Sequence, residues 1–542
     1  MTPNPLLTTF VDDRRATRIW AREPTAFLAE PSADAVQSIG QRLGWLDAPA
    51  GMAGHVADLT AFAAETRRDR LTHVYLLGMG GSSLCAEVMR DVPLVRDGET
   101  RLTVLDTTDE RAIREVTDAL VPAQSLFIVA SKSGGTIEVT SLERHFWGVM
   151  SAKRHDLTGA HFVAITDPGT SLVAHAAARQ YRRTFVNPPD IGGRYSALSL
   201  FGLVPAALLG IDIAALLRSA AAMADRCRAD SDENPGLALG AFLAHHAGAG
   251  RDKMTVILPP SLEPLGAWIE QLVAESTGKN GRGILPVVGE PIGMPNEYGK
   301  DRAIVSVVTP DSAWTETTGA RLEQRGHPVF RLQTSVAELG GEFFRWEFAT
   351  AVAGAGIAVN PFDEPNVKDA KLRTQAQLDA RRATGIFKLD PPFEAGEGYQ
   401  RRESRPSLES NADPQTGRYV AILDYFPAEA RRRDVIERLR AAIRRRTGLA
   451  TTYGIGPRYL HSTGQYHKGG PNTGLFLLFT AADASGTPIP DTDYTFATLK
   501  HAQALGDFEA LVAAGRDVIH YHVDNPAADF SAKFERVLLG LR

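Results

Sequence analysis

Residues 125–143 read SLFIVASKSGGTIEVTSLE, and this stretch decides the fold. Its first six residues are apolar without alternation, which predicts a strand buried on both faces of a parallel sheet. Its last seven residues predict the opening turns of a helix. The loop between them, 131–136, contains Ser131, Ser133 and Thr136, whose hydroxyls would join the free N–H groups of the helix N-terminus in binding an anion. A tight turn with incidental serines is the alternative.

A second loop of the same kind lies upstream. Residues 73–81 (HVYLLGMGG) predict a strand that runs into a glycine loop, and further strands are predicted at 101–109, 125–133 and 161–169. Alternating strands and helices predict a doubly wound parallel sheet with ligands at the carboxyl ends of its strands. Both loops, 79–83 and 131–136, would lie there and could hold one phosphate. Neither is a dinucleotide fingerprint or a Walker loop.

Composition narrows the class of protein. The 542 residues suffice for two or three domains, and 59 basic against 64 acidic residues leave a net charge of −5, which gives no case for nucleic acid or an anionic membrane. Two cysteines suit a reducing cytosol. We find no signal peptide and no apolar run near the ~18–20 residues of a membrane span. These features predict a cytoplasmic α/β protein.

The pattern divides the chain into five segments. We predict an N-terminal helical segment (1–70), two α/β units (71–235 and 236–392), a linker (393–418) and a C-terminal α/β region (419–542). The linker is polar, rich in Gly, Pro and Ser, and without periodicity. The arginine-rich helix predicted over 427–446 is most simply a solvated face.

Two charged side chains stand at informative positions. Arg194 follows two glycines in a predicted rigid loop, 183–196, where a guanidinium can be held in a fixed orientation. Glu275 ends a predicted helix over 264–277, where a carboxylate opposes the helix dipole. A site could use that unfavourable charge. A surface arginine and an ordinary charged last turn are the alternatives.

The C-terminal region has its own polar cluster. His461, Gln465, His467 and Lys468 lie in residues 460–474 (LHSTGQYHKGGPNTG), which we predict to be a loop closing over a polar substrate. Metal binding is the alternative. A second pair, His520-x-His522, we interpret as structural, because no third ligand stands at a suitable spacing.

Together these segments resemble the glucose-6-phosphate isomerase family, most closely the form fused to transaldolase in some bacteria. The resemblance runs from about residue 70 to the C-terminus, and we expect the isomerase portion alone. It rests on the order of six motifs: LGMGGSSL (77–84), SKSGGTIE (131–138), GGRYSALS (192–199), ESTGKNG (275–281), EFFRWEFATAVAG (342–354) and HSTGQYHKGG (461–470). It implies two sugar-isomerase (SIS-type) domains, which agrees with the two α/β units.

The resemblance also implies roles for single residues. Glu275 would move a proton between C2 and C1 through a cis-enediol, and Arg194 would stabilise the enediolate. Glu138, Gln465 and Lys468 match an active-site glutamate, a C-terminal glutamine and a ring-opening lysine. The substrate phosphate would be bound by Gly81, Ser82, Ser131, Lys132, Ser133 and Thr136.

The chain departs from the family at two places. Glu342 stands where the family has a ring-opening histidine, and Lys468 lies closer to Gln465 than the family spacing. Our hypothesis is that Glu342, His461 or His467 replaces the missing imidazole. In the family that histidine comes from the neighbouring subunit, so both a homodimer and a monomer remain open.

Other functions compete with this one. An isomerase acting also on mannose 6-phosphate or on an amino sugar phosphate would carry the same motifs. A non-catalytic SIS module that senses sugar phosphate would keep the serine loops but would not need Glu275, Arg194 and Lys468 together. Proton transfer between carbons of an enediol needs no metal or cofactor, so we predict none, and we predict neither nucleic acid nor membrane as a partner.

Overall fold

The computed structural model describes residues 4–389, 391–396, 399–404, 417–426, 430–482 and 486–524. In the described residues five α-helices precede the first sheet, and they pack through Ile19, Trp45 and Phe62 into a hydrophobic core that the two α/β units share. They are α1 (Pro5–Asp12), α2 (Arg15–Trp20), α3 (Ala33–Gly40), α4 (Ala48–Gly51) and α5 (Val56–Arg68). All five lie within residues 1–70, the segment whose bounds stay a prediction.

The first sheet has five parallel strands in the order β2-β1-β3-β4-β5. These are β1 (His73–Gly78), β2 (Arg101–Leu105), β3 (Ser125–Ala130), β4 (Phe162–Thr166) and β5 (Arg183–Val186). The helices that follow are α6 (Leu84–Asp91), α7 (Glu110–Asp118), α8 (Ile137–Arg154) and α9 (Ser171–Ala178). β3 is buried at every residue, as its unbroken apolar run predicts. β5 occupies the start of the segment that we predicted to be a loop.

A second parallel sheet has the order β7-β6-β8-β9. Its strands are β6 (Lys253–Ile257), β7 (Leu285–Val287), β8 (Arg302–Val308) and β9 (Val329–Gln333). The helices of this part are α10 (Leu200–Leu208), α11 (Ile213–Arg226), α12 (Pro235–Gly248), α13 (Leu265–Thr277), α14 (Ala313–Glu323), α15 (Leu339–Gly356) and α16 (Val367–Thr384). α15 is buried from Leu339 to Gly354 and packs against α11, α12 and α13. It is the central helix between the two sheets' cores.

A third sheet forms the C-terminal region, in the order β10-β11-β15-β14-β12-β13. Its strands are β10 (Glu394–Gly396), β11 (Tyr399–Glu403), β12 (Tyr419–Asp424), β13 (Ala450–Ile455), β14 (Gly474–Ala481) and β15 (Asp517–Val523), and its helices are α17 (Ala430–Thr447), α18 (Gly464–Gly469) and α19 (Phe496–Ala513). β12 to β15 are parallel, whereas β10 and β11 are antiparallel.

Two sequence predictions are corrected here. Residues 394–396 and 399–403 lie in the predicted linker, yet they form β10 and β11 at the edge of the third sheet. Polar side chains occur in edge strands as well as in linkers, so composition did not distinguish an edge strand from a linker here. Residues 405–416 lie outside the described residues. The segment 460–474 is not a plain loop, because a 3₁₀ turn over Arg458–His461 and α18 lie in it. The fold class itself, α/β with parallel-sheet domains, is confirmed.

Candidate active site

The loop at residues 131–136 connects β3 to α8, as predicted. Ser131 and Thr136 bring their hydroxyl oxygens to 3.1 Å from each other, and Ser133 is exposed. Gly134 has a φ of +72°, and an added Cβ would lie 2.7 Å from Thr170. Only glycine therefore fits this turn without strain. The arrangement presents hydroxyls and the first N–H groups of α8 on one side.

The second loop, residues 79–83, is held against the segment that carries Arg194. A Cβ on Gly81 would lie 1.9 Å from the Gly193 carbonyl oxygen, and the Ser196 hydroxyl donates to the Gly81 carbonyl at 3.2 Å. Ser82 is buried in this contact region. Close backbone approach thus explains the glycine at position 81.

Lys132 points away from the other loop residues. Its ammonium pairs with Asp167 and donates to the Pro189 carbonyl at 3.2 Å. Burial lowers the pKa of Lys132, although the pairing with Asp167 works against that shift. The cation therefore anchors the loop to the segment after β4.

Arg194 and Glu275 meet below these loops. Arg194 Nη1 lies 3.3 Å from Glu275 Oε1, and Arg194 Nε donates to the Ser276 hydroxyl at 2.8 Å. Both charged side chains are shielded, with 4% and 14% of their side-chain surfaces exposed. Burial raises the pKa of Glu275, and Arg194 works against that rise. A carboxylate beside a fixed guanidinium can accept a proton from carbon while the cation stabilises the oxyanion that forms.

A turn over residues 360–364 completes this cluster. Arg194 Nη2 donates to the carbonyls of Pro361 and Asp363, at 2.7 and 3.0 Å. Lys279 Nζ donates to the carbonyls of Asn360 and Asp363, at 2.7 and 2.6 Å. Burial lowers the pKa of Lys279 to about 8. Two buried cations thus fix the backbone of this turn.

A cavity of about 180 Å³ opens between the 131–136 loop, α16 and the C-terminal region. Polar side chains from all three elements line it, and so does the backbone at the start of α8. The lining includes Gly135, Thr136, Glu138, Lys371, His461, Lys468 and Gln503. A polar ligand in this cavity would meet the Thr136 hydroxyl and these charged groups together, whereas Arg194 and Glu275 are not among its lining residues.

Glu138 forms the centre of a hydrogen-bonded chain across the cavity wall. Its Oε1 lies 2.9 Å from His461 Nε2 and accepts from Gln503 Nε2 at 2.7 Å. Thr108 donates to Gln503 Oε1 at 2.8 Å. Burial opposes ionisation of Glu138, but His461 outweighs it, and the pKa of Glu138 lies below its ordinary value. His461 also reaches the base indirectly, because Gln271 Nε2 donates to the His461 carbonyl at 2.8 Å and to Glu275 at 3.0 Å.

Lys468 and Gln465 are both buried in α18. Lys468 lines the cavity, but its ammonium also donates to Asp507 at 2.6 Å. Gln465 donates to the Gly278 carbonyl at 2.9 Å and to Asn366 Oδ1 at 2.8 Å, and its own Oε1 accepts from the Asn366 N–H. These contacts join the end of α13 to the start of α16. The structure thus shows Gln465 in a bridging position.

The three proposed substitutes for the family histidine lie in different places. His461 lines the cavity. His467 is buried 3.0 Å from the Tyr419 hydroxyl, and burial lowers its pKa well below the ordinary value. Glu342 is buried in α15, 3.1 Å from Arg345. Among these described side chains, His461 is the one that faces the cavity.

Sequence reasoning missed three groups here: Lys371, Gln503 and Glu364. Lys371 and Gln503 line the cavity from α16 and α19, and Glu364 lies 3.2 Å from Arg194 Nη1. The available signal was the segment 360–366 (NPFDEPN), where two acidic residues stand between prolines. Nothing local to Gln503 indicated its position.

No set of three His, Cys, Asp or Glu side chains suited to a metal ion occurs in the described residues. His520 and His522 both lie 2.8 Å from the Thr480 hydroxyl. Within the same residues, no helix combines the length and the apolar character needed to cross a membrane.

Part of the chain matches a known protein family. The family model for phosphoglucose isomerase matches residues 60–283. A glucose-6-phosphate isomerase from Rubrobacter xylanophilus is 29% identical over 377 residues, which are 60% of this chain and 86% of the relative. One from Thermosynechococcus vestitus is 37% identical over 220 residues, which are 38% of this chain and 40% of the relative.

Two solved structures share the fold. A hypothetical protein from Thermus thermophilus superposes with a TM-score of 0.60 at 24% identity, over 69% of this chain and 96% of that one. A glucose-6-phosphate isomerase from Chlamydia trachomatis superposes with a TM-score of 0.52 at 19% identity, over 68% of this chain and 78% of that one. The family resemblance predicted from the motifs is confirmed. The finer likeness to the form fused to transaldolase stays a prediction.

Proposed function

We propose that this chain, which belongs to the phosphoglucose isomerase family through residues 60–283, interconverts glucose 6-phosphate and fructose 6-phosphate. The observation that carries the proposal is the position of Glu275 Oε1, 3.3 Å from Arg194 Nη1, next to the contact between Gly193 and the 79–83 loop. A phosphate anchor, a shielded base and a fixed cation are the three groups that an aldose–ketose isomerisation requires. The names of the relatives favour the enzyme over a sensing module.

The chemistry follows from these positions. With the phosphate held by Ser82, Ser131, Ser133 and Thr136, Glu275 removes the proton from C2 of the open-chain aldose. The C–H electrons form the C1–C2 double bond, and the carbonyl electrons move to O1, where a proton completes the cis-enediol. Glu275 then returns its proton to C1 while O2 loses its proton and becomes the carbonyl of the ketose. Arg194 stabilises the anionic oxygen in both halves.

Ring opening needs an acid at the ring oxygen and a base at the O1 hydroxyl. His461, oriented by Glu138, and Lys371 are the cavity groups that we assign to this step, with Lys468 held by Asp507 behind them. Because His461 belongs to the same chain as Glu275, we propose that one chain holds a complete site. The buried free thiols of Cys85 and Cys227 fit a reducing compartment, and we propose a cytoplasmic location.

Incubation of the full chain with glucose 6-phosphate in D₂O tests the function. We expect fructose 6-phosphate to form without added metal and to carry deuterium at C1, because the base exchanges its proton with solvent. Sugar-phosphate binding without turnover would contradict the proposal and favour a sensor. Mannose 6-phosphate, tested in parallel, measures selectivity at C2.

A further inference from the structure

The carboxylate of Glu364 lies beside the base and the guanidinium, and the mechanism above does not use it. Its Oε2 accepts from Arg194 Nη1 at 3.2 Å, and Glu275 Oε1 lies 3.3 Å from the same nitrogen. Lys279 and Arg194 hold the turn that presents Glu364. One guanidinium nitrogen therefore contacts two carboxylates.

The side chains in direct contact around Arg194 include more negative than positive charges. Arg194 and Lys279 are the two cations, and they meet Glu275, Glu364 and Asp363, the last at 2.7 Å from Lys279. This contact cluster carries one negative charge in excess when every group is ionised. Binding of one proton by a carboxylate removes this excess negative charge. Where solvent is excluded, the excess charge therefore favours the protonated form of a carboxylate. Glu275 is the more shielded of the two carboxylates on Arg194, with 14% of its side chain exposed against 39% for Glu364.

Other polar groups face the pair from the surrounding elements. Gln271 donates to Glu275 and to the His461 carbonyl, the charge of the His461 imidazole acts on Glu275, and Tyr195 lies next to Arg194. On the other side, Arg42 from the N-terminal segment and Lys132 from the 131–136 loop face Glu364. Lys132 is itself paired with Asp167.

We propose that Glu364 is a positioning residue of the isomerase site, which divides Arg194 between two carboxylates and so keeps Glu275 a stronger base than it would be with the guanidinium to itself. This inference rests on the proposed function. The pKa directions agree with it. Burial raises the pKa of Glu275, Arg194 opposes the rise, and the charge of Glu364 adds to it. Burial opposes ionisation of Glu364, but Arg194, Arg42 and Lys279 outweigh it and lower its pKa.

Glu364→Gln removes this charge and keeps the size of the side chain. Arg194 then acts on Glu275 alone, and the pKa of Glu275 falls. Because kcat/KM rises as Glu275 loses its proton, the acid limb of the pH profile moves to lower pH, by about half a unit or more. The weaker base also lowers the plateau, roughly three- to tenfold. Two control variants should keep the acid limb of the parent's pH profile. Glu364→Asp keeps the negative charge, and Glu263→Gln changes an exposed position just before α13.

A titration separates this inference from the proposed function. The pKa of Glu275, followed by ¹³C NMR and assigned with Glu275→Gln, should be lower in Glu364→Gln than in the parent, whether or not the protein turns over sugar. An unshifted acid limb and an unshifted Glu275 titration would overturn the inference. Absence of turnover with a shifted titration would overturn the function and leave the effect of Glu364 in place.

Discussion

His461 and His467 lie six residues apart in the chain but in different surroundings. His461 presents its Nε2 to Glu138 at the wall of the cavity. His467 is enclosed by aromatic rings, with Tyr419 and Phe476 at 6.0 and 5.1 Å between ring centroids. The first is placed for proton transfer and the second for packing, although both belong to one short polar segment.

Asparagine at each position separates the two roles. His461→Asn removes a proton-transfer group, so we expect conversion of cyclic glucose 6-phosphate to fall about 10²-fold or more. Loss of the hydrogen bond to the buried Glu138 should also lower the unfolding free energy by about 1–3 kcal/mol. His467→Asn disturbs a buried hydrogen bond and its packing, so we expect unfolding free energy to fall by about 1–3 kcal/mol. Steady-state rates and thermal unfolding measure both. A His461→Asn variant with the parent's rate would contradict the assignment.

The sequence allowed some of these residues to be placed and not others. Local signals, a helix with an apolar face and a pair of glycines, drew notice to Glu275 and Arg194, but their roles were predicted from the resemblance of the motifs ESTGKNG and GGRYSALS to the family. The contacts of Gln465 and Lys468 depend on Asn366 and Asp507, which lie 99 and 39 residues away. Lys371 and Glu364 reach the site only because two buried cations fix the turn before α16. Such long-range packing leaves no local pattern.

At the scale of elements, α19 connects the third sheet to the site. Its Gln503 joins Thr108, in the loop after β2, to Glu138 at the start of α8. Its Asp507 holds Lys468, and its Lys500 lies 3.0 Å from Asp109. One helix therefore makes three polar contacts, of which those of Gln503 and Asp507 reach residues that line the cavity, and we propose that the C-terminal region is part of the site.

Gln503→Leu tests this function of α19. The change removes the amide between Thr108 and Glu138, and with it one of the two hydrogen bonds to Glu138 Oε1 described above, so Glu138 and His461 are less well oriented. We expect kcat to fall about tenfold or more, because misplaced catalytic groups lose rate steeply, and stability to fall by about 1–3 kcal/mol. Val512→Ala, at an exposed position of the same helix, should stay close to the parent in both measurements. Unchanged kcat in Gln503→Leu would contradict a positioning effect of this amide.

The three sheets are joined by ion pairs as well as by packing. Arg458, at the start of a C-terminal 3₁₀ turn, pairs with Glu87 of α6 and lies 3.2 Å from Asp106, after β2. The alternation of strands and helices predicted the individual sheets. The alternation did not predict the ion pairs between sheets, because the partners of Arg458 lie far earlier in the chain. The domain boundaries given above accordingly stay predictions.

Stability of the whole molecule should depend on pH through three shielded histidines of the C-terminal region. His501 lies 5.2 Å from His522, and His520 lies 6.4 Å from His522, between ring centroids. Burial lowers the pKa of all three, to about 3 for His501. The folded chain therefore keeps them neutral, whereas the unfolded chain protonates them below about pH 6.5.

The sign of the effect follows from this difference. Stability is fully present above about pH 6.5 and is lost as the pH falls towards the folded-state pKa values, by roughly 1.4 kcal/mol per pH unit for each histidine that stays neutral. Urea unfolding between about pH 5 and 7 measures the slope. We expect His501→Gln to make the slope shallower by about one histidine's contribution, because burial lowers the pKa of His501 to about 3. A slope equal to that of the parent would show that His501 is not one of the neutral groups.

The central claim is that Glu275 is the base that moves the proton between C2 and C1, and Glu275→Gln tests it most directly. The amide keeps the side chain's size and removes its basicity, and Glu263→Gln is the matched control. With glucose 6-phosphate as substrate, we predict that Glu275→Gln loses about two orders of magnitude or more in kcat while still binding fructose 6-phosphate, and that the control keeps the parent's rate. Undiminished turnover by Glu275→Gln would contradict the account.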